Sequence, residues 1–122
     1  MIDRTKRHWT GNSPDDILQY IREQTDLPLE GDRVYCEVCG GGSFAIQPMD
    51  AQLGLRCLDC GRVCAMIDRR PVKGGVKGLV CPVCKEGRRY DLSIARHEGR
   101  AFLGSRCQKC GALSVELEWQ ED

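Results

Sequence analysis

Residues 53–61 read LGLRCLDCG and residues 103–111 read LGSRCQKCG. Six of the nine positions are identical, including both cysteines of a C-x2-C pair and the glycine that follows it. This similarity predicts two copies of one structural unit. A unit of about 40 residues buries too little apolar surface to fold without a metal or disulfides. The cysteines therefore have to supply the missing stability.

The chain has four C-x2-C pairs at the spacing of metal sites. Seventeen residues separate the two pairs of the first half, and 22 separate those of the second. Such spacing predicts four-cysteine zinc sites, in which Zn–S bonds of about 2.3 Å place sulfur atoms about 3.5–4 Å apart. We expect two Zn2+ ions, each bound within one half; a cross-braced arrangement, with the first and third pairs sharing an ion, is the competitor. The expected ligands are Cys36, Cys39, Cys57 and Cys60 for one ion, and Cys81, Cys84, Cys107 and Cys110 for the other.

Three other potential ligands fall outside these quartets. Cys64, the ninth cysteine, aligns with Ser114 of the second copy and is interpreted as a bystander thiol, with a redox or alternate-ligand role as the alternative. His8 and His97 stand at no ligand spacing, and we expect neither to bind metal.

Each copy also alternates apolar and polar residues, which predicts β-strands with one apolar face. Two strands lie between the cysteine pairs of a copy, and a third follows the last pair. The apolar positions are Phe44 and Ile46, then Val63, Ala65 and Ile67, in copy one, and Tyr90, Leu92 and Ile94, then Leu113, Val115 and Leu117, in copy two. Trp119 continues the last alternation and is expected to cover the apolar face.

The pattern resembles the zinc-ribbon family from Val34 to about Arg69 and from Leu79 to about Trp119. The resemblance implies three-stranded antiparallel ribbons with a non-catalytic zinc. In the second ribbon, CPVC at residues 81–84 and GRAFLGS at residues 99–105 are also similar to the C-terminal ribbons of bacterial type I topoisomerases. Those ribbons bind single-stranded DNA. The chain departs from them at Ser105, where that family usually has a ligand cysteine.

Residues 13–26, SPDDILQYIREQTD, predict a short amphipathic helix. Ser13 is the expected N-cap and Pro14 the first helical residue. We expect the apolar face to pack on the first ribbon, with binding to a partner as the alternative.

The predicted fold is therefore a small, metal-stapled, mainly-β protein: two tandem three-stranded antiparallel zinc ribbons preceded by a short N-terminal α-helix. The predicted segments are an arm and helix at residues 1–30, ribbon 1 at 31–68, a basic linker at 69–78, and ribbon 2 with an acidic tail at 79–122.

The chain has no net charge, but its charges are unevenly distributed. Residues 51–109 carry thirteen Lys and Arg against five Asp and Glu, whereas both ends are acidic. The segment RRPVKGGVKG at residues 69–78 has four cations and no acid. It is either a flexible linker or a strap that contacts phosphates. Part of the basic excess balances the negative charge of zinc-bound thiolates.

The N-terminal residues lack the apolar region of a secretory signal, and no apolar run approaches the roughly 20 residues that span a bilayer. We therefore expect a cytoplasmic protein that does not insert into membranes. In that reducing compartment, paired cysteines more often bind metal than form disulfides.

The sequence predicts a binding protein and not an enzyme, because zinc with four thiolate ligands has no open position for water, and no small-molecule substrate is expected. The first hypothesis is binding to single-stranded nucleic acid. The candidate residues are Arg69, Arg70, Lys73, Lys77, Tyr90 and Phe102, with phosphate contacts from the cations and base stacking from the rings. The second, equally weighted, is a protein-binding regulator, such as an inhibitor- or immunity-type partner of a toxin or enzyme. The third is a rubredoxin-like iron protein.

Overall fold

The computed structural model describes residues 2–49, 52–68 and 80–120. The elements are α1 Asp15–Thr25, β1 Glu30–Arg33, β2 Phe44–Met49, β3 Gln52–Cys57, β4 Val63–Asp68, β5 Tyr90–His97, β6 Arg100–Cys107 and β7 Leu113–Gln120. This small mainly-β fold with one short N-terminal helix confirms the predicted fold class. Within the described residues, no helix is both long enough and apolar enough to cross a membrane.

The two predicted ribbons share one antiparallel sheet. Its strand order is β4-β3-β2-β5-β6-β7, so that β2–β4 form the first ribbon and β5–β7 the second. Phe44 lies opposite Cys57 in the first hairpin, as Tyr90 lies opposite Cys107 in the second. The ribbons meet where Phe44 pairs with Tyr90. The two copies of the repeat therefore share the same pairing register between their first two strands.

Strand β1 was not predicted, because its sequence EGDR has no apolar alternation. It pairs antiparallel with β5, from Glu30 opposite Arg96 to Arg33 opposite Ser93. A Cβ at Gly31 would lie 2.0 Å from the carbonyl oxygen of Ile94, so this close approach requires glycine. The segment that leads into the first ribbon is thus a strand beside the second.

One hydrophobic cluster draws side chains from both ribbons. Its largest fully buried members are Phe44, Ile46 and Leu55 from the first ribbon and Tyr90, Leu92, Leu103 and Leu117 from the second. Trp119 packs against the cluster, as the alternation predicts. Neither ribbon buries this face alone. The linker at 69–78 lies outside the described residues, so the proposed domain boundaries stay a prediction.

The helix packs on the second ribbon, and the expectation that it packs on the first is wrong. Ile17 and Ile21 are fully buried in a second cluster with Phe102 of β6. Gly104 makes room for them, since a Cβ at that position would lie 2.6 Å from Cγ2 of Ile17 and 2.7 Å from Cδ1 of Ile21. The absence of a side chain at Gly104 therefore lets the helix approach the sheet closely.

The N-terminal arm explains this choice of ribbon. Thr10 forms an isolated β-bridge with Ala112, and the backbone N–H of Leu113 donates to the carbonyl of Trp9 over 3.0 Å. The arm thus runs beside the start of β7 and delivers the helix to the same ribbon. Apolar patterning within the helix alone carries no information about that docking.

The start of the helix differs slightly from the prediction. Helix α1 begins at Asp15, and Pro14 occupies the cap position without a side-chain hydrogen bond. Instead, the carboxylate of Asp16 reaches back and accepts hydrogen bonds from the backbone N–H groups of Asn12 (2.8 Å) and Ser13 (3.3 Å). Asp16 therefore fixes the segment that leads into the helix, and its negative charge lies in the first turn, where the helix dipole favours it.

A buried carboxylate, Asp91, joins the parts of the molecule. Its Oδ1 accepts hydrogen bonds from Nη2 of Arg33 (3.0 Å) and Nε2 of Gln108 (2.9 Å), and its Oδ2 accepts one from Nη1 of Arg106 (3.0 Å). Arg106 also donates through Nε to the carbonyl of Gly11 over 2.7 Å. The carboxylate thus connects β1, the arm and the second ribbon.

Asp91→Ala should lower the free energy of unfolding by about 3 kcal/mol, because it leaves two partly buried guanidinium groups without their anion. The estimate is at the lower end of the usual range because the side chain of Arg33 is 30% exposed. Urea unfolding at a fixed free zinc concentration measures the loss. Asp32→Ala is the matched control, since Asp32 is an exposed carboxylate on the neighbouring strand. Equal losses in the two variants would contradict this role of Asp91.

Gly104→Ala should lower stability by about 1–3 kcal/mol, because the added methyl group overpacks the interface with the helix. Ile21→Val removes the Cδ1 atom that the methyl group meets, so adding it should recover part of the loss. A double-mutant cycle from thermal or urea unfolding measures this coupling. Strictly additive effects would show that the helix does not pack tightly at Gly104.

Candidate metal centres

The first cysteine quartet lies where the β2–β3 hairpin begins and ends. Cys36 and Cys39 belong to the turn before β2 (the Cys36 turn, residues 36–39). Cys57 and Cys60 belong to the turn after β3 (the Cys57 turn, residues 57–60). The sulfur atoms of Cys36 and Cys60 are 3.7 Å apart, and those of Cys39 and Cys57 are 3.5 Å apart. The hairpin therefore brings two distant C-x2-C pairs around one point.

The second quartet repeats this arrangement at the β5–β6 hairpin. Its two turns are the Cys81 turn (residues 81–84) and the Cys107 turn (residues 107–110). The Cys81 and Cys110 sulfur atoms are 3.8 Å apart, and those of Cys84 and Cys107 are 3.9 Å apart. The backbone N–H of Gly87 donates to Sγ of Cys84 over 3.2 Å. All four ligand atoms in each quartet lie within 4.8 Å of one another.

A residue of left-handed conformation follows each C-x2-C pair. Gly40, Gly61 and Gly111 have φ of 77°, 80° and 82°. Lys85 occupies the fourth equivalent position with φ of 61°. Its backbone N–H donates to the carbonyl of Cys81 over 2.8 Å, as the glycines do in their own turns. The turn geometry is therefore kept at Lys85, where a side chain makes this conformation less favourable than in glycine.

The geometry of both quartets fits tetrahedral zinc. With Zn–S bonds of about 2.3 Å, tetrahedral ligands stand about 3.8 Å apart, and the separations of 3.5–3.9 Å agree with this value. Four soft thiolate donors are also the set that structural zinc prefers. The protein thus has two tetracysteine zinc sites, arranged in tandem, each built from one half of the chain.

The thiols of the second quartet differ in acidity. The backbone N–H groups of Glu86 and Gly87 lower the pKa of Cys84 to about 6. Burial raises the pKa of Cys110 to about 12. Zinc binds the thiolate form, which the backbone N–H groups favour at Cys84 and burial disfavours at Cys110.

Hydrogen bonds connect the two metal centres. The backbone N–H of Leu58, in the Cys57 turn, donates to the carbonyl of Ser43 over 2.9 Å. Nε2 of Gln108, in the Cys107 turn, donates to the hydroxyl oxygen of the same Ser43 over 2.9 Å and also to Asp91. Ser43 therefore receives hydrogen bonds from one ligand-bearing turn of each site.

The two predicted nucleic-acid residues that the structure describes, Tyr90 and Phe102, do not lie at the surface. Tyr90 is fully buried and Phe102 is 2% exposed, so their rings belong to the core and are not presented for base stacking. The four linker cations Arg69, Arg70, Lys73 and Lys77 lie outside the described residues.

The predicted acidic tail is also different in the structure. The predicted tail comprises residues 116–122, but residues 116–120 belong to β7. Glu116 is fully buried and accepts a hydrogen bond from the hydroxyl of Ser105 over 2.7 Å. Glu118 forms an ion pair with Arg100 on β6. The ion pair therefore compensates the charge of Glu118, and burial removes Glu116 from the surface that a partner could reach.

The remaining candidate ligands stay outside the metal centres. Neither His8 nor His97 belongs to a metal-binding cluster of the described residues, and His97 lies 3.7 Å from the carboxylate of Glu98. The backbone of Cys64 lies at a β-bulge, since Leu55 pairs with Ala65 and Arg56 with Val63. Its side chain is outside the described part of the structure, and its bystander role stays a prediction.

Sequence reasoning missed the exposed pair Arg88 and Arg89, which follows the Cys81 turn. The signal was present in the positive charge of residues 51–109. The surface position of the two arginines became evident only in the fold, where the neighbouring Tyr90 is buried.

Comparison with protein-family models, curated proteins and solved structures finds no match. The architecture alone is zinc-ribbon-like: two tetracysteine centres, each held by the ends of an antiparallel hairpin.

Cys57→Ser should release one zinc and leave one bound, because loss of a thiolate removes much of the metal-linked folding energy of that site. Cys64→Ser should retain both ions. Native mass spectrometry counts the ions, and elemental analysis separates zinc from iron. Loss of an ion in the Cys64 variant would refute its bystander role, and iron in the isolated protein would favour the rubredoxin-like alternative.

Proposed function

We propose that this protein is a non-catalytic zinc-binding module that binds nucleic acid through phosphate groups. The observation that carries the proposal is a cationic surface beside the second zinc site. Lys85, Arg88 and Arg89 are exposed there, and Arg88 and Arg89 have no ion pair within the described residues. Exposed guanidinium groups bind phosphates well, because their planar donors match phosphate oxygens.

The chemistry of the metal centres supports a non-catalytic role. Zinc with four thiolate ligands has no open coordination position, and such a site stabilises a fold without activating water. The role of the metal in this proposal is to hold the hairpins and to fix the surface around them.

Binding through phosphates does not require base stacking, and this differs from the expectation drawn from the sequence. Tyr90 and Phe102 are buried, so any preference for single strands would have to come from another surface. The positive surface and the basic segment at residues 69–78 attract duplexes and single strands alike. Both forms of nucleic acid therefore belong in the test.

Fluorescence anisotropy with a labelled 20-nucleotide single strand and the corresponding duplex tests the proposal. We expect binding at low salt that weakens as salt rises, with a slope of about −0.7 per phosphate contact on the single strand. Replacing Arg69, Arg70, Lys73 and Lys77 by alanine should flatten this slope without changing zinc content. Tyr90→Ala and Phe102→Ala should lower stability, by about 3–5 kcal/mol. No binding at low salt by folded, zinc-loaded protein would contradict the proposal.

A protein partner is the second candidate, favoured by the surface of the first zinc site. Tyr35 and Val38 flank Cys36 and are 55% and 62% exposed. Exposed apolar and aromatic side chains of this kind are typical of interface centres. Affinity capture from host lysate, with and without nuclease treatment, separates the two candidates. A major partner that survives the nuclease favours the protein-binding role.

A further inference from the structure

A cleft lies beside the second zinc site, between the residues after Cys84 and the Cys107 turn. We call it the Arg88 cleft, and it is lined by Glu86, Gly87, Arg88, Arg89, Gln108 and Lys109. Its volume of about 440 Å³ lies within the range of small-molecule clefts. It therefore has room for a phosphate group together with the sugar or base attached to it.

The walls of the cleft are fixed by hydrogen bonds. The backbone N–H of Gln108 donates to the carbonyl of Arg89 over 2.9 Å, and the side chain of Gln108 is bound to Asp91. On the other side, the carbonyl of Gly87 accepts from the backbone N–H of Cys81 over 2.8 Å. One wall is therefore held by the turn of the zinc site and the other by the hydrogen bonds of Gln108, and neither depends on a ligand.

The cations of the cleft are not equivalent. Lys109 forms an ion pair with Glu86, so its charge is already compensated. Arg88 and Arg89 are exposed, and within the described residues neither side chain has an ion pair or a hydrogen bond. Two guanidinium groups therefore give the cleft a positive surface.

These arginines have one other plausible use, which is to balance the negative charge of the zinc tetrathiolate. The contacts within the described residues argue against it. The backbone N–H groups of Glu86 and Gly87 act on Sγ of Cys84, and within the described residues no guanidinium group donates to a cysteine of this site. A conformation in which the arginines stay in solvent leaves their donors available to an external anion.

We propose that the Arg88 cleft binds a phosphate group, with Arg88 and Arg89 as its charged contacts. Where that phosphate belongs to a nucleic acid strand, the inference rests on the proposed function. A free nucleotide or inorganic phosphate presents the same chemistry. Two adjacent arginines can offer paired donors to phosphate oxygens, which lysine cannot reproduce.

The decisive variant replaces both arginines, as Arg88→Ala with Arg89→Ala. We expect affinity for the labelled single strand at 50 mM salt to fall at least tenfold, and the salt slope to flatten by about 1.4 for two lost contacts. Arg88→Lys with Arg89→Lys should recover the slope but only part of the affinity. Zinc content and melting temperature verify that each variant is folded.

The matched control is Lys6→Ala with Arg7→Ala, which removes the same charge from exposed positions on the N-terminal arm. It should change affinity much less than the arginine pair. If the arginine variant binds like the wild type, or if both pairs lose affinity equally, the cleft is not a phosphate site. Oligonucleotide binding by the wild type would then still show nucleic-acid binding, but through cations other than Arg88 and Arg89.

If the wild-type protein binds no oligonucleotide, the proposed function fails and the cleft is still tested by phosphate itself. Titration with inorganic phosphate, and separately with a nucleoside monophosphate, is followed by amide NMR shifts. Saturable shifts at Gly87, Arg89 and Gln108 that vanish in the arginine variant would support a free-phosphate or nucleotide site. The absence of such shifts would overturn the inference.

Discussion

Coordination of metal by four thiolates is the interaction on which the rest of this structure depends. Each quartet lies at the open end of a hairpin, where the first strand begins and the second strand ends. Metal binding at this end sets the pairing register of the two strands together with the positions of the ligands. Binding of structural zinc contributes about 10–16 kcal/mol in peptides of similar size. This is comparable with the whole free energy of unfolding of an ordinary domain. The hydrophobic clusters add to a framework that the metal already defines.

Within the described residues, the two ribbons are not independent units. Phe44 pairs with Tyr90 across the junction, and one apolar cluster uses side chains from both ribbons. On the other face, Asp91 collects hydrogen bonds from β1 and from the Cys107 turn. Such a buried charge is expensive to remove from water, and its cost is offset here because three donors satisfy its two oxygens.

The sequence was sufficient for those features that depend on local spacing. Paired cysteines and period-two alternation predicted the quartets, the hairpins and the apolar role of Trp119, because each depends on residues close in the chain. The docking of the helix could not be predicted in this way. It depends on Gly104, whose missing side chain makes room for Ile17 and Ile21. The equivalent residue Gly54 offers the same sequence signal in the other ribbon.

Strand β1 and the buried Glu116 escaped prediction for a related reason. The strand forms through backbone pairing with β5, which any short polar segment can make when a glycine permits close approach. Glu116 is an acid in a stretch of acids, and its burial together with its hydrogen bond from Ser105 distinguishes it from the exposed ones. The burial of Glu116 depends on Ser105, which lies eleven positions earlier in the chain. The alternation of apolar and polar residues does not reveal that partner.

The shared contact at Ser43 has a consequence for how the molecule is assembled. The second ribbon is surrounded by the arm, the helix and β1, whereas the first has the second ribbon as its neighbour in the sheet. Once the second ribbon holds its ion, the side chain of Gln108 is fixed where Ser43 must arrive. The contact is reciprocal, because an ordered Ser43 fixes Gln108 as much as Gln108 fixes Ser43. The two metal centres are therefore coupled through one hydrogen-bonded serine, and an ion at either centre orders a contact that the other centre uses.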